Sequence, residues 1–398
     1  SQNYYTFKGL TIRGSGSNGI WGYGDHITVD HCNIKFNGKA AVSFQLPGAA
    51  DNQVLYSHIY QNVLLNWPRG NNGYADAGGS WPGTVIWYAG LRPVARGNIV
   101  HMNGGEGILS YGSQSGTTSG SALFEQNVVY DNWSVNIYFD NQPNNVARNN
   151  IIFNHPADTS TWLYPPTSPY PWNALYKYSV CIMLADEQNS SDATNNYANL
   201  ANTRVYNNLL AGCRIGIRDY SEGATTVQYH GLKNTLIANN TIILPPGPLP
   251  NTDVMGIFLQ DNGSRNVGSS IQNNVVYGFS SGTPLIWIQG TNSLSGVSMN
   301  NNVYYSAAAK PFRIGYNSVQ DVSFANWQSQ TGADFLGRFT DPLLVGASLF
   351  QAPGTAPYDY NNANLQATSP AVGVGATQTV FSNNLPGATR SVWNAGAF

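Results

Sequence analysis

A short phrase recurs along the chain: an asparagine, then two or three β-branched, aliphatic or aromatic residues, then a polar or small break. It reads GNIVHMN from Gly97, QNVVYDN from Gln126, NNIIFNH from Asn149, NNLLAGC from Asn207, NNTIILP from Asn239, NNVVYGF from Asn273 and NNVYYSA from Asn301. The equivalent asparagines, at 98, 127, 150, 208, 240, 274 and 302, are spaced 29, 23, 58, 32, 34 and 28 residues apart, and the 58 is expected to hold two turns plus an insertion. A second short apolar run follows each phrase: GILSY at 107, NIYFD at 136, CIMLA at 181, GIRDY at 216, GIFLQ at 256 and LIWIQ at 285. Runs this short, broken by turns, do not make helices of ordinary length. The pattern predicts a parallel β-solenoid with two or three strands per repeat, whose strands superpose while the loops between them lengthen outward at little cost. Asparagine suits the bend before each strand, because it tolerates left-handed geometry and its amide can bond the asparagine one rung away. The phrases GLTIRG at 9 and HCNIKFNG at 31 extend the same grammar to the N-terminal part.

At 398 residues and 42% hydrophobic, the chain can bury a sizeable core. Only 10% of residues are charged, the formal net charge is -2, and 18 Lys and Arg are scattered. No basic patch of the kind that neutralises phosphates is visible, so a nucleic-acid partner is not expected. No apolar run is long enough to span a bilayer, and the opening SQNYYTFKG carries no secretion signal. Many Asn, Ser, Thr, Gly and Tyr with few charges nevertheless point to an extracellular or cell-surface protein, any export signal of which is expected before residue 1. Cys32, Cys181 and Cys213 are an odd count without a CxxC, so buried thiols are expected rather than a zinc site or a disulfide framework.

Three further stretches carry a likeness: GGEGI at 104–108, DNWSVNIYFDN at 131–141, and TDPLLV at 340–345 followed by LQATSPAVGVG at 365–375. With the rungs, they resemble secreted right-handed parallel β-helix repeat proteins, the broad pectate-lyase-like class that includes polysaccharide-active enzymes. The resemblance runs over about residues 4–375. It implies an all-β, right-handed parallel β-helix over 1–330 with long loop insertions, a capping or wrapping segment of the same domain over 331–398, and a polysaccharide as partner. Proteins of this class begin with a cap, whereas this chain enters a strand-like phrase within its first ten residues. An open solenoid end is a template for edge pairing. Either a leading segment or another subunit is expected to cover it, the latter giving a head-to-tail homo-oligomer or filament.

Long stretches interrupt the rungs at 66–83, 111–121, 155–178, 186–201 and 219–232, and they are rich in aromatic rings. Long loops on a rigid scaffold commonly carry function, and flat rings pack on the apolar faces of sugars. Aligning the rungs on Ile108, Ile137, Ile182, Ile217, Ile257 and Ile286 makes these an inward column. The outward neighbours then read Leu109, Tyr138, Met183, Arg218, Phe258, Trp287, and two residues on Tyr111, Asp140, Ala185, Tyr220, Gln260, Gln289. Candidate sugar-contacting residues are Trp67, Trp81, Tyr111, Trp133, Tyr138, Tyr176 and Trp287. The same face equally suits a solvated or subunit-contacting sheet.

Carboxylates gather near the middle rungs at Glu106, Asp131, Asp140, Asp186, Glu187 and Asp219. Glycoside hydrolysis needs two carboxyls flanking the scissile bond, and rungs about 4.8 Å apart bring such pairs to catalytic separations. Asp140, Asp219 and Glu106 are the preferred pair members. A lyase would instead neutralise a uronate with Arg214 or Arg218 beside Tyr220, in some cases with calcium; otherwise no cofactor or metal is expected. Six Lys argue against an extended groove for an anionic polymer, and the paired-Asp and Arg-x-Lys signatures of β-helix galacturonases are absent. His101 falls in a column with Tyr130, Phe153, Ala211, Ile243, Tyr277 and Tyr305, read as an interior stack. The leading expectation is a carbohydrate-active protein that binds and cleaves a polysaccharide. A non-catalytic filament-forming solenoid and a carbohydrate-binding adhesin are the alternatives.

Overall fold

A computed structural model of the chain describes residues 3–66, 83–112, 120–155, 179–187, 200–221, 231–246, 254–260, 266–280, 282–316, 318–351 and 359–398. Among these residues the chain winds through three sheets of 10, 11 and 11 strands, and each strand pairs with the one three places later in the chain. The pairing is parallel along the stack, as between Ile137 and Ile182 or Val129 and Ile152. It turns antiparallel where Phe312–Ile314 meets Gln320–Val322 at the far edge. Each coil therefore lays down three strands. Those of the first two sheets are mostly three residues long, whereas the third sheet lengthens in the middle to Glu106–Tyr111, Val135–Asp140, Val180–Asp186 and Ile215–Ser221.

The core follows from strand parity. In the three-residue strands of the first two sheets the central side chain points inward, as Val54, Phe124, Ala147, Val205 and Ile237 do in the first. The isoleucine column expected from the sequence lies inward, each member at most 1% exposed. Rings also stack from coil to coil, with Phe44, Trp87, Phe124 and Phe139 separated by 5.6, 5.5 and 4.9 Å between centroids. Each large inward side chain contributes about 1.5–3 kcal/mol of burial.

Between the first two sheets every coil bends at a residue of positive φ; on the first three coils Leu10, Cys32 and Ser57 follow it, and from Gly97 onward a buried asparagine does. The asparagines are those of the repeat. The Nδ2 of Asn98 donates to Oδ1 of Asn127 at 3.0 Å, and the chain of bonds continues through Asn150, Asn208, Asn240, Asn274 and Asn302. Each Oδ1 also accepts the backbone N–H of the preceding asparagine, so three polar groups per coil are satisfied in the dry interior. The left-handed residue is the one before, at Gln126, Asn149, Asn207, Asn239, Asn273 and Asn301. A second ladder, of Asn37, Asn62, Asn103 and Asn132, stiffens the corner between the second and third sheets.

The interval of 58 residues is a single coil rather than two. Asn150 bonds Asn208 directly, and Ile151 pairs with Leu209. The extra length lies in insertions on either side of Val180–Asp186, because a solenoid constrains the strands and leaves the connections free.

The C-terminal part closes the last coil and then returns along the outside. Helix Phe324–Thr331 begins at Ser323, whose hydroxyl accepts from the backbone N–H of Asn326, and ends at Gly332 in the left-handed region. Its buried Trp327 stacks on Phe312 at 5.3 Å. The segment beyond then docks on the left-handed asparagines. Asn149 and Asn207 donate to carbonyls of Asn384 and Asn383, Asn239 to Asn394, Asn273 to Ala376 and Asn301 to Val374. Leu385, Ala397 and Phe398 pack on Phe153, Leu209, Ile243 and Tyr277.

Two expectations change. The column of His101 is a true stack, at 4.5 Å and 4° from Tyr130, which stacks in turn at 4.5 Å on Phe153. It lies on the outer face of the second sheet, because the intervening Val100, Val129 and Ile152 fill the core; the returning C-terminal segment buries its later members. Cys181 and Cys213 form a disulfide between adjacent coils, Cα atoms 5.6 Å apart, and Cys32 alone is a free buried thiol. Sequence separation said nothing of this pairing, which depends on coil register. Thiol titration of the denatured, unreduced protein is expected to find one group, against three after reduction.

The main ladder ends on an acid. Asn302 donates Nδ2 to Oδ2 of Asp334 at 3.0 Å, and the Tyr304 hydroxyl donates to the same oxygen at 2.5 Å. Burial raises the Asp334 carboxyl to about 6, only partly offset by these bonds. A raised carboxyl binds its proton more tightly folded than unfolded, so its contribution to stability is full below about pH 3.8 and is lost as pH rises to about 6. At about 1.4 kcal/mol for each pH unit, this amounts to at most roughly 3 kcal/mol. Asp334→Asn restores the residue used on each coil of the ladder from Asn98 to Asn302. Denaturant unfolding should show it more stable than the parent at pH 7, with the difference vanishing near pH 4.

Candidate active site on the third sheet

The insertions noted in the sequence, and two shorter ones at 247–253 and 261–265, all adjoin the ends of strands of the third sheet. The intervals 67–82, 156–178 and 247–253 lead into strands of the third sheet, while 113–119, 188–199, 222–230 and 261–265 follow them. The outer face of this sheet is thus the floor between the insertion points. Its rows agree with the alignment of the sequence: Leu109, Tyr138, Met183, Arg218, Phe258 and Trp287 pair in order, as do Tyr111, Asp140, Ala185 and Tyr220. The apolar members of these rows form a cluster outside the coil with Val135, Val180, Ile215 and Met255.

Three carboxylates, Asp140, Glu187 and Glu106, meet on that floor, while Asp186, two residues beyond inward Leu184, belongs to the inward row. Glu187 follows the end of Val180–Asp186, and its backbone N–H points to Oδ1 of Asp140 at 3.4 Å. The Tyr138 hydroxyl donates to Oε1 of Glu187. Glu106 stands opposite Gly83, two residues before inward Ile108, as Val135 stands before Ile137. It lies close enough to act on both Asp140 and Tyr138.

The electrostatics follow from crowding in a dry place. Burial pushes the Asp140 carboxyl well above the ordinary range, and the charges of Glu187, Asp186 and Glu106 add to the effect. The Tyr138 hydroxyl is raised by burial and by Asp140, Glu187 and Glu106. Arg218, three positions into the next long strand, has its guanidinium 4.6 Å from the Tyr220 ring and 5.8 Å from that of Phe258. Burial lowers its pKa, against the attraction of Tyr220, Tyr138, Glu187 and Asp219. Tyr111 pairs with Asp140 and lies 5.0 Å from the Tyr88 ring.

The other candidates are placed elsewhere. Asp219 pairs with Leu184, which pairs with Phe139, so it belongs to the inward row and is 1% exposed; one step of parity separates it from the surface acids. Asp131 sits at the opposite corner, where it accepts from the His155 backbone at 2.9 Å and meets its ring nitrogen at 2.5 Å. Trp133 is 1% exposed, its backbone N–H donating to the carbonyls of Asn103 and Gly105, and a ring so buried does not offer a face to a sugar. Trp287 is on the correct face, three strands beyond Val180–Asp186, with its indole N–H donating to Gly315 at 2.8 Å and Arg313 5.0 Å over the ring. Trp67, Trp81 and Tyr176 lie outside the described residues. The sequence reading missed Tyr88 and Gln45, which precede Tyr111 in its row; extending the row to earlier coils would have found them. Among the described residues no group of three or more His, Cys, Asp or Glu is placed to hold a metal ion, and no helix is long and apolar enough to cross a membrane.

Because burial pushes the Asp140 carboxyl up at a cost, its amide should relieve that cost. The sign is that of a raised carboxyl: stability present below the ordinary carboxylate range and lost as pH rises. Thermal unfolding of Asp140→Asn is expected at a higher temperature than the parent at neutral pH, and at the same temperature near pH 4.

Residues 1–160 match the family model described as a right handed beta helix region. A search of the curated proteins finds no match. Among solved structures, the chain is similar to XylC in complex with xylose, with a TM-score of 0.49 and 9% identity over 100% of this chain and 65% of that one. It is also similar to the tailspike protein of E. coli bacteriophage HK620 in complex with a pentasaccharide, with a TM-score of 0.39 and 8% identity over 77% and 56%. The chain thus spans less than two thirds of the length of either structure. Its own three parallel sheets and the pattern of its first 160 residues make it a right-handed parallel β-helix.

Proposed function

We propose that the protein is an extracellular carbohydrate-active β-helix that hydrolyses a polysaccharide on the outer face of its third sheet. The observation that carries this reading is the meeting of Asp140 with Glu187 on one floor, Asp140 buried and crowded by other acids so that its carboxyl is pushed well above the ordinary range. A glycosidase needs that combination, an acid to protonate the leaving oxygen and an ionised partner to act as base or nucleophile. Burial and neighbouring charge supply the first. The Tyr138 hydroxyl, donating to Glu187, favours its ionised form and so supports the second. Arg218 stands beside them with its charge spread over two rings, where it can steady negative charge. The acidic surroundings favour a neutral or weakly charged polymer over a polyuronate. The disulfide supports an oxidising, extracellular setting.

In this reading Asp140 gives its proton to the glycosidic oxygen as the bond to the anomeric carbon breaks. Glu187 either attacks that carbon or removes a proton from the attacking water. The test is release of reducing ends from a panel of soluble polysaccharides. Asp140→Asn and Glu187→Gln should each lower kcat by about 100-fold or more while circular dichroism stays unchanged. The parent's activity should fall on the alkaline side as Asp140 ionises. Unsaturated products would move the reading to a lyase, and turnover unaffected by either variant would remove these residues from the chemistry.

A further inference from the structure

The third sheet does not stop at the acids. Its outer rows run on to the first coil, through residues that neither the acid cluster nor the core uses. Trp21 pairs with Ser43 and Ser43 with Ile86, which pairs with Leu109 in the row of Tyr138. Gly22 pairs with Phe44 and Phe44 with Trp87, so the next residues, Tyr23, Gln45 and Tyr88, head the row that leads through Tyr111 to Asp140. The backbone keeps that register past the strand ends, Gln45 N–H donating to Gly22 at 3.0 Å. Gln45 is also hydrogen-bonded to the Tyr111 side chain, and Tyr111 packs on Tyr88 at 5.0 Å. The row is a continuous polar and aromatic strip.

Two large rings at its start are open to solvent. Trp21 is 68% exposed and Tyr23 56%, whereas the apolar members of the same rows near the acids are buried. Parity explains the placement: Ile20 and Gly22, on either side of Trp21, turn to the interior. An exposed indole and phenol two residues apart on one strand face are costly to leave in water without use, and they are the side chains best shaped to take the flat apolar face of a pyranose.

We infer that Trp21 and Tyr23 form a distal sugar-binding subsite of the acid centre, and that a linear glycan lies along the axis of the solenoid between them. This rests on the function proposed above. Four strand spacings of about 4.8 Å separate Trp21 from Tyr138, roughly 19 Å. An extended pyranose chain advances by about one strand spacing per sugar, so each ring meets a fresh coil in the same register. The strip offers it Gln45, held by a 2.7 Å hydrogen bond to buried Ser43, then the half-buried Tyr88 and Tyr111. The site takes a neutral, extended, unbranched glycan long enough to span it.

The experiment uses soluble xylan and glucomannan with their graded oligosaccharides, and the double variant Trp21→Ala/Tyr23→Ala. The first readout is retardation in polysaccharide-containing native gels, measured in the Asp140→Asn background so that no substrate is consumed. Removal of both rings should weaken retention about ten-fold, the size expected of two stacking contacts. The second readout is KM against chain length in the active protein. The parent's KM should fall once the oligosaccharide is long enough to reach Trp21, and the double variant should lose that fall. If glycans are bound and cleaved yet the variant keeps both the retention and the length dependence, the subsite is disproved and the acid centre stands. If no glycan is retained or cleaved by the parent, both fail together. Circular dichroism and the thermal midpoint check that the variant is folded, and single Trp21→Phe should restore most of the retention if ring stacking is the cause.

Discussion

A buried amide that must find partners is the interaction on which the structure depends. Each coil from Asn98 to Asn302 places one asparagine in the dry corner between the first two sheets, where an unpaired amide would cost about 1–3 kcal/mol. Its partners are the asparagine one coil further on and a backbone carbonyl of the coil before. From Asn98 to Asn302 this couples each coil to the next and fixes register, because a slip of one residue would strand both amides and turn every inward side chain outward. The strands of the first two sheets are mostly three residues long and would pair weakly by themselves. The ladder, running unbroken from Asn98 to Asn302 and closing on Asp334, supplies the specificity that short strands lack.

With two corners held by asparagine ladders, freedom is left at the edges of the third sheet. The insertions attach there, the strands lengthen there, and the polar groups that do not serve the core gather on its outer face. Lengthening a strand at Val180–Asp186 carries Glu187 past the end of the regular coil and toward Asp140 and Tyr138. The same rigid stacking that makes the interior regular thus lets neighbouring coils present unlike residues in adjacent positions. A crowded acid site costs stability, and the scaffold bears it because burial of the isoleucine and ring columns is repeated on every coil.

The C-terminal return shows how a repeat can be read twice. The second asparagine of each NN pair faces inward and builds the ladder; the first bends the chain and faces outward. Where that outer residue is Asn, at 149, 207, 239, 273 and 301, the returning segment bonds to it. On earlier coils the same left-handed position is Gly9, His31, Tyr56, Gly97 or Gln126. The change from XN to NN along the sequence therefore marks how far the segment reaches. This mark was present in the repeat, but its meaning needed to know which of the two amides pointed out.

What the sequence determined was the solenoid: asparagine spacing, strand length and the isoleucine column are local patterns whose period survives any loop length. It also placed Tyr138, Asp140 and Arg218 on the outer face, since parity within a strand is a matter of counting from the isoleucine. Tertiary structure alone decided what depends on register between coils and on the exact strand ends. That includes the inward turn of Asp219, the burial of Trp133, the single coil within the interval of 58 residues, and the bond between Cys181 and Cys213. The physical reason is that these relations join residues far apart in the chain whose positions are fixed by superposition of coils, and insertions of unequal length erase that superposition from the residue numbers.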